Sequence, residues 1–598
     1  MAETAQAERA HDAQGPAGRE EVVAIEPRVR LVAHTARPYE LAVASARTCY
    51  ASDFVFVGRL DKKGERTRTS LLDALPQWKA ELDEIGRLDT PHDSRVALVS
   101  RLQPKVQSAD VKVALEAFAD LARQRASTDS RIAHSIYEAG HHTPFQHPTF
   151  VFAIEGVSRN CVESFLHNHT FYNSEQQSQR YVEMKHAQVH VPVSIRSDPA
   201  ARAVYEEAVQ QAWQAYHALR ERLVEANLRT MSAIGKVKGQ TLAEVRKEAE
   251  KKSQEMARYV VPIAAGTQLY HTVSGIVLLR YIRMCEAANT PREARRVVEQ
   301  MVEEVRRVDP AFVAEIQEVP RARADTVEAQ LNQPAPPAPA PPPMREPAQL
   351  LNATPEAPAL VVAALREVTG STLPDRELLR RVLDPALNAA WGDTLNTWDH
   401  SPVLRTLRHV HYTFRKRMSL SAYAQDQRHR MTPGTRPLLS QCLHPAPDVH
   451  VPDIVAADPE ARALYDATIA NLWAAMMQLR DKHHVPVDDV SYLLPNATHV
   501  HFHQSGDLLS FIHKWRLRLC FNAQKEIFEA SLAELRQAQA VHPELTGFLG
   551  PPCSFVAARQ PAERQEDVAA CCPEGTRWCG VKVWLNFDAA KGIPKRPY

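Results

Sequence analysis

Between Gly140 and Val182 the chain reads GHHTPFQHPTFVFAIEGVSRNCVESFLHNHTFYNSEQQSQRYV. A Gly-His turn and an apolar run, Thr149 to Ile154, lead into a dense set of His, Asn, Ser, Gln and Arg. Such side chains donate hydrogen bonds to phosphate and carbonyl oxygens, so beside a core strand they suit an anionic ligand. The plain alternative is a solvated loop. Near the other end, Cys553, Cys571, Cys572 and Cys579 lie among Pro and Gly turns, a donor set for tetrahedral zinc or an iron–sulfur cluster. The spacing is not the usual paired C-x2-C, so three of them with Cys442 or a His, or free thiols in a tail, stay open. His499, His501 and His503 alternate, which on a strand puts them on one face. With no carboxylate at ligand spacing they read as a polar strand face.

The elements that must position these groups belong to a large chain. At roughly 100–200 residues per domain, 598 residues predict several domains or fewer large ones. Lys plus Arg number 72 and Asp plus Glu 71, a net charge of +1. No global field then draws in nucleic acid or an acidic membrane, and an anion must be held by a local arginine cluster. With 44% hydrophobic and 24% charged residues, and 42 Pro against 20 Gly, the chain is globular with proline-rich filler, not collagenous, wholly disordered or a disulfide scaffold. Nine Cys fit reduced thiols. Met1 to Glu20 has no apolar signal core, so the cytoplasm is the expected location. Val260 to Leu279 lacks acidic and basic residues but contains Pro262, Gln268, His271 and Ser274, and reads as a buried strand and helix.

QPAPPAPAPPPMREP, from Gln333, is expected to be a polyproline II spacer. Either side of it the chain repeats itself. VHVPVSIRSDPAARAVY from Val189 faces VHVPDIVAADPEARALY from Val449, an offset of 260 (449 − 189). QSQRY (Gln177 to Tyr181) faces QDQRH (Gln425 to His429), and ARYVVP (Ala257 to Pro262) faces VSYLLP (Val490 to Pro495). A period this long implies a tandem pair of domains rather than a solenoid. Strands are expected at VRLVAHTA and Thr149 to Ile154. Helices are expected over YELAVASARTCY, Ala201 to Ala226, Pro291 to Val308, the run from Pro459, and one long run from Gly506. The fold class is α+β. The expected division is a disordered 1–25, a first domain 26–325, a linker 326–358, a shorter second domain 359–545 and a Cys-bearing tail 546–598.

With SARTCY (Ser45 to Tyr50) and ARYVVP, the Gly140–Val182 stretch resembles the flavin-dependent thymidylate synthases. Their pattern runs R-T-C-Y, then G-H-x-S-x-x-E-H, then a strand ending v-S-R, then R-H-R and a Ser-x-Arg-Tyr. Here these are Arg47 to Tyr50, Gly140 to His147, Ser158-Arg159 and Ser178 to Tyr181. The resemblance covers roughly Val29 to Asp309 and, more faintly, the second half. Where the family has R-H-R the first half has His167-Asn168-His169, and Gln146 replaces the Glu of the G-H motif. In the second half the arginines are read at Arg415-Lys416-Arg417, with Asp426 in place of the family Ser. The family's C-terminal helix pattern becomes Cys285 to Arg295 in the first half, keeping Asn289, Glu293 and Arg295. In the second it becomes Arg518 to Phe528, keeping Arg518, Asn522 and Glu526.

The resemblance implies conversion of dUMP to dTMP with FAD, NADPH and methylenetetrahydrofolate. It assigns catalysis to Ser178, Arg180, His167 and His169, and FAD to Arg415, Arg417, Arg518, Asn522, Asn289, His141 and His147. It assigns the nucleotide to Gln176, Gln177, Ser178, Gln179, Arg180 and Arg295. No nucleophilic Cys is required, and Cys49 reads as a buried apolar residue. The family places its sites between subunits of a homotetramer, so two chains are expected to form a pseudo-tetramer. The complementary losses lead to an expected composite site, with Arg415, Arg417, Arg518 and Asn522 from one half and Ser178, Arg180 and Arg295 from the other. The alternatives are a degenerate protein that binds flavin or nucleotide without turnover, and a different flavin-dependent pyrimidine alkylation.

Overall fold

The computed structural model describes residues 21–48, 131–288, 290–315, 319–331, 342 and 344–596. Cys49, Tyr50, Asn289 and most of the proline run lie outside the described residues, as does the side chain of Arg47.

Two four-stranded antiparallel sheets share one strand order. The first runs β2 (Arg28–His34), β3 (Thr149–Ser158), β6 (Gly266–Ser274), β4 (Asn173–Gln176); the second runs β7 (Ala348–Ala353), β8 (His411–Ser419), β10 (His499–Asp507), β9 (Gly434–Thr435). The likeness extends to detail. Both first strands slip register at one point, Leu31/Ala33 in β2 and Leu350/Asn352 in β7. A side chain from the helix behind catches each slip: Leu31 N–H donates to Glu304 at 2.8 Å and Leu350 N–H to Gln537 at 2.7 Å. Every other residue of β3 and β8 turns inward, so Phe150, Phe152 and Ile154, like Tyr412 and Phe414, are buried. At the end of β3 and β8, Ser158 and Ser419 cap a short helix through their hydroxyls, accepting from Cys161 N–H (2.9 Å) and Ala422 N–H (3.1 Å). In β3 the chain bulges at Gly156, whose φ of +64° and whose contact with the Glu26 carbonyl, 2.4 Å from where a Cβ would sit, require glycine.

The halves meet along the Asp-Pro helices, Pro199–Arg222 and Pro459–Asp481, in one shared core. Asp198 and Asp458 cap them, and each cap also meets a side chain from the other half, the His483 ring and the Arg222 guanidinium respectively. Between these helices the repeated Y-x-x-P segments pair reciprocally. Ile263 and Ala264 N–H donate to Leu494 and Tyr492, and Asn496 and Ala497 N–H to Val261 and Tyr259, all at 2.9 Å. Glu293 accepts from Ser158 N–H of its own half and from Tyr492 OH of the other. Glu526 accepts from Ser419 N–H and from Tyr259 OH.

Several expectations need correction. The run from Gly506 is not one helix: Asp507 caps Leu508–Arg518, and a turn at 519–524 precedes Lys525–Val541. The expected N-terminal boundary at 25 is too late, because β1 (Val22–Ala24) pairs in parallel with β5 (Ala187–Val189). The expected linker, 326–358, includes the helix Val327–Leu331 and all of β7. The residues after 546 pack Leu549, Cys553, Phe555 and Val583 into the second half's core instead of trailing from it. Val260 to Leu279 is turn, strand and helix as expected, and no helix among the described residues is long and apolar enough to cross a membrane. The first half alone carries a helical hairpin, Val224–Lys238 and Leu242–Ala257. It accounts for the change of offset between halves from 260 to 233 (490 − 257).

Candidate functional site

Strand register decides which residues correspond. Glu175 pairs with Tyr270 in the first sheet and Thr435 with His503 in the second. Val189 and Val449 bridge Ala265 and Thr498. An offset of 260 therefore holds through the intervening segment, and Ser178 and Arg180 correspond to Leu438 and Ser440. The match of QSQRY to QDQRH is thus overturned. Counting from the capping serines, Ser158 and Ser419, places Arg428-His429-Arg430 at the position of His167-Asn168-His169 (430 − 419 = 169 − 158). The second half's arginine motif is therefore 428–430, a pattern visible in the sequence as RHR but hidden by the earlier register.

Arg415 and Arg417 lie elsewhere, on the polar face of β8 opposite His503 and His501. Arg417 and the rings of His499 and His501 all converge on Asp448, with nitrogen–oxygen distances of 3.3, 2.8 and 2.9 Å. The histidine ladder is a polar strand face, two of whose rings share one carboxylate with Arg417. Three donor atoms, from His450, His499 and Glu526, come within 4.8 Å of one another. The Glu526 carboxylate is already engaged by Ser419 and Tyr259, and His499 by Asp448 and Arg417.

Along one seam the halves do assemble a polar site. Arg180, held in a turn where its N–H donates to Ser178 Oγ (3.2 Å), pairs with Glu255 and donates to the Asn522 carbonyl at 3.2 Å. Arg258 donates to Gln524 Oε1 at 2.8 Å; Gln524 also bonds Gln425 and the Tyr259 hydroxyl. Arg518 reaches the Gln425 carbonyl (2.9 Å) and Nε2 of the buried His429 (2.7 Å). Burial would raise the Glu255 carboxyl, but Lys252, Arg180 and Arg258 together hold it at about 2. Burial brings Arg258 and Arg518 down to about 10, with nearby arginines adding to the effect. Both remain cationic at neutral pH. Three cations, Arg180, Lys252 and Arg258, thus face the carboxylate Glu255, while Arg518, whose nearby carboxylate is Asp426, and the exposed Arg428, paired with Glu175, lie beside them. The buried Arg258 Nε–H has no hydrogen-bond partner among the described residues. Desolvated positive surplus with an open donor is the chemistry of an anion site.

Two cavities adjoin this seam, one of about 220 Å3 lined by Gln177, Ser178, Gln179, Met184, Trp213 and Thr267 and one of about 320 Å3 lined by Lys252, Tyr259, Gln524 and Glu526. A third, also about 320 Å3, lies between the halves and is lined by Gln146, Phe171, Tyr172, Arg280 and Arg430. There Arg280 and Arg430 lie over the rings of Phe171 and Tyr172 at 5.3 and 5.2 Å. Arg428 and Arg430 of the second half donate to Ser174 and Thr170 carbonyls of the first.

The first half's counterpart of the arginine motif lies beside Arg428 and Arg430 and carries no charge of its own. His167 is held well below its usual pKa, first by burial and then by neighbouring cations, and His169 is brought to about 4 by burial, Arg280 and Arg430. Neither supplies a cation there. His169 Nδ1 accepts from Phe171 N–H (3.1 Å), leaving Nε2 to face the Tyr281 hydroxyl at 2.7 Å. Of the other expected residues, Gln176 reaches Thr267 (3.4 Å) and Gln179 is buried against Asn496 (3.2 Å). His141 and His147 are exposed beside the Gly140 turn. Arg295 is a surface residue paired with Glu286 and Glu299, both at 3.0 Å, and does not join the seam site. Its counterpart Phe528 is covered by the guanidinium of Arg596, 5.0 Å above the ring. Arg258 and Arg596 were missed by sequence reading; the R-Y-V-V-P context carried the signal for the first, and nothing local carried it for the second.

A sequence model of the family described as "Thymidylate synthase complementing protein" matches residues 89–311 and 349–544. A flavin-dependent thymidylate synthase of Clostridium tetani is 32% identical over 171 residues, 29% of this chain and 64% of that protein, so the chain spans less than two thirds of that relative. One from Nitratidesulfovibrio vulgaris is 28% identical over 291 residues, 48% of this chain and 86% of that protein. Among solved structures, a UMP/dUMP methylase PolB from Streptomyces cacaoi, bound with 5-Br dUMP, is 14% identical, covering 50% of this chain and 99% of that one with a TM-score of 0.29. Thymidylate synthase X from Helicobacter pylori, with FAD and dUMP, is 17% identical, covering 33% and 96% with a TM-score of 0.26.

Proposed function

Because the chain belongs to the flavin-dependent thymidylate synthase family, we propose that it methylates dUMP reductively to dTMP, using methylenetetrahydrofolate, FAD and NADPH. On this reading the chain is a diverged tandem pair with one composite site, not two. The observation that carries the proposal is the surplus of arginine along one seam, with the buried Arg258 Nε–H unpartnered among the described residues. Ser178, Gln179, Arg180 and Arg258 of the first half would hold the nucleotide. Arg428, Arg430, Arg518 and Asn522 of the second would hold FAD, whose pyrophosphate suits guanidinium forks. Bound FAD would supply the redox chemistry. The protein's part is to neutralise phosphate and keep the uracil ring oriented. Arginines at a pKa of about 10 can do that while staying charged throughout the neutral range. Two chains would complete a four-unit assembly.

The test is flavin content, together with tritium release from 5-labelled dUMP in the presence of NADPH and methylenetetrahydrofolate. One flavin per chain with release supports the proposal, and two per chain would remove the single-site reading. The second reading, a binding protein without turnover or a different pyrimidine alkylation, draws on Asn522, whose side chain donates to the Arg577 carbonyl of the C-terminal segment at 2.7 Å. Flavin bound with no release would favour it.

A further inference from the structure

The four thiols grouped by sequence do not stay together. Cys571, fully buried, turns its Sγ toward the carbonyls of Arg564 and Gln565. Cys520, in the turn after the Leu508–Arg518 helix, takes its place. With Cys553, Cys572 and Cys579 it lines one largely enclosed cavity of about 10 Å3, together with Pro551 and Pro573. Backbone N–H groups two residues on, at Asn522 and Glu574, favour the thiolates of Cys520 and Cys572, and the Cys579 thiol donates to the Val581 carbonyl at 3.4 Å. N–H groups aimed at sulfur support thiolate ligands in metal sites.

We propose that Cys520, Cys553, Cys572 and Cys579 bind one zinc ion as a structural tetrathiolate site. The space suits a single ion rather than an iron–sulfur cluster, since about 10 Å3 barely admits one water. Each thiol releases its proton to solvent as its sulfur ligates. Zn–S bonds of about 2.3 Å in a tetrahedron set the sulfurs roughly 3.8 Å apart. No three of these sulfurs lie within 4.8 Å of one another, so binding draws the side chains inward.

The ion would join two parts of the second half. Cys520 lies between Arg518 and Asn522, while the other three belong to the C-terminal segment. That segment also abuts the first half's hairpin at Gly580, whose φ is +81° and where a Cβ would stand 2.3 Å from Ile234 Cγ2. Metal analysis of the purified, reduced chain is expected to find one zinc per chain, lost in Cys520→Ser and Cys572→Ser and kept in Cys571→Ser. Cobalt exchanged into the wild-type chain is expected to show thiolate charge-transfer and tetrahedral bands, a readout independent of whether any variant folds. No stoichiometric zinc after its addition, iron with sulfide instead, no cobalt bands, or loss of zinc from Cys571→Ser equal to that from Cys520→Ser would each overturn the site.

Discussion

Behind β3 and β6 the first half packs Ile154, Phe165 and Met301 around a 2.9 Å hydrogen bond between His271 and Tyr281. Behind β8 and β10 the corresponding positions are Lys416, Asp426, Glu534, Gln504 and Lys514. All four charged side chains there are fully buried, with nitrogen–oxygen distances of 2.6–2.9 Å. Gln504 bridges them, accepting from Lys416 and Lys514 and donating to Asp426. Two lysines and two carboxylates sum to zero. Burial opposes charge on Asp426, but Lys416 and Lys514 keep it ionised. One backbone therefore accepts either an apolar or an ionic centre, provided the ionic one is complete. The quartet also anchors Asp426, two residues before Arg428, and the half that has it is the half that keeps the arginine motif.

Glu534→Ala tests the completeness argument most severely. It leaves two buried lysines facing one carboxylate and is expected to cost about 3–5 kcal/mol in denaturant unfolding. Replacing all five residues with their first-half counterparts, Ile, Phe, His, Tyr and Met, should be neutral or stabilising by about 1–4 kcal/mol. A large loss would break the equivalence of the two centres.

Acid is expected to separate the halves. Burial, with His169 adding to it, brings His271 to about 3, whereas an unfolded His titrates near about 6.5. The fold holds the neutral ring, so its contribution is complete above about pH 6.5 and is lost as pH falls toward 3. His271→Gln, copying Gln504, should move the acid-unfolding midpoint to lower pH by circular dichroism. An unmoved midpoint would remove His271 as the sensitive group.

A smaller effect sharpens the contrast between the two motifs. Arg428→Ala or Arg518→Ala should lower kcat/KM for dUMP by roughly 10- to 150-fold, the loss of about 1.5–3 kcal/mol from a charged hydrogen bond. His167→Ala and His169→Ala, which remove uncharged rings beside those arginines, should leave it within a few-fold. Smallest of all, Arg295→Ala removes exposed ion pairs and should change stability by less than about 0.5 kcal/mol, with turnover unaltered.

The likeness of the two halves was legible because whole runs recur in both, and Asp-Pro caps and alternating strands follow from local chemistry. Register was not. QDQRH resembles QSQRY letter by letter, yet the letters fall at different depths: Asp426 belongs to the buried quartet and Ser178 to a turn at the seam. Only the pairing of β9 with β10 separates them. Arg415 and Arg417 looked like motif residues because a strand alternates in the same rhythm as R-x-R, and the partner that claims Arg417, Asp448, is 31 residues away. Cys520 escaped notice because its companions in space follow it by more than thirty residues, across two helices.

The reciprocal tyrosine contacts also order events in time. Glu293 receives the Tyr492 hydroxyl from 199 positions further along the chain. At roughly 5–20 residues per second of synthesis, a ribosome delivers that tyrosine about 10–40 s after the carboxylate it satisfies. Throughout that interval the Glu293 carboxylate waits without the hydroxyl that the second half brings to it.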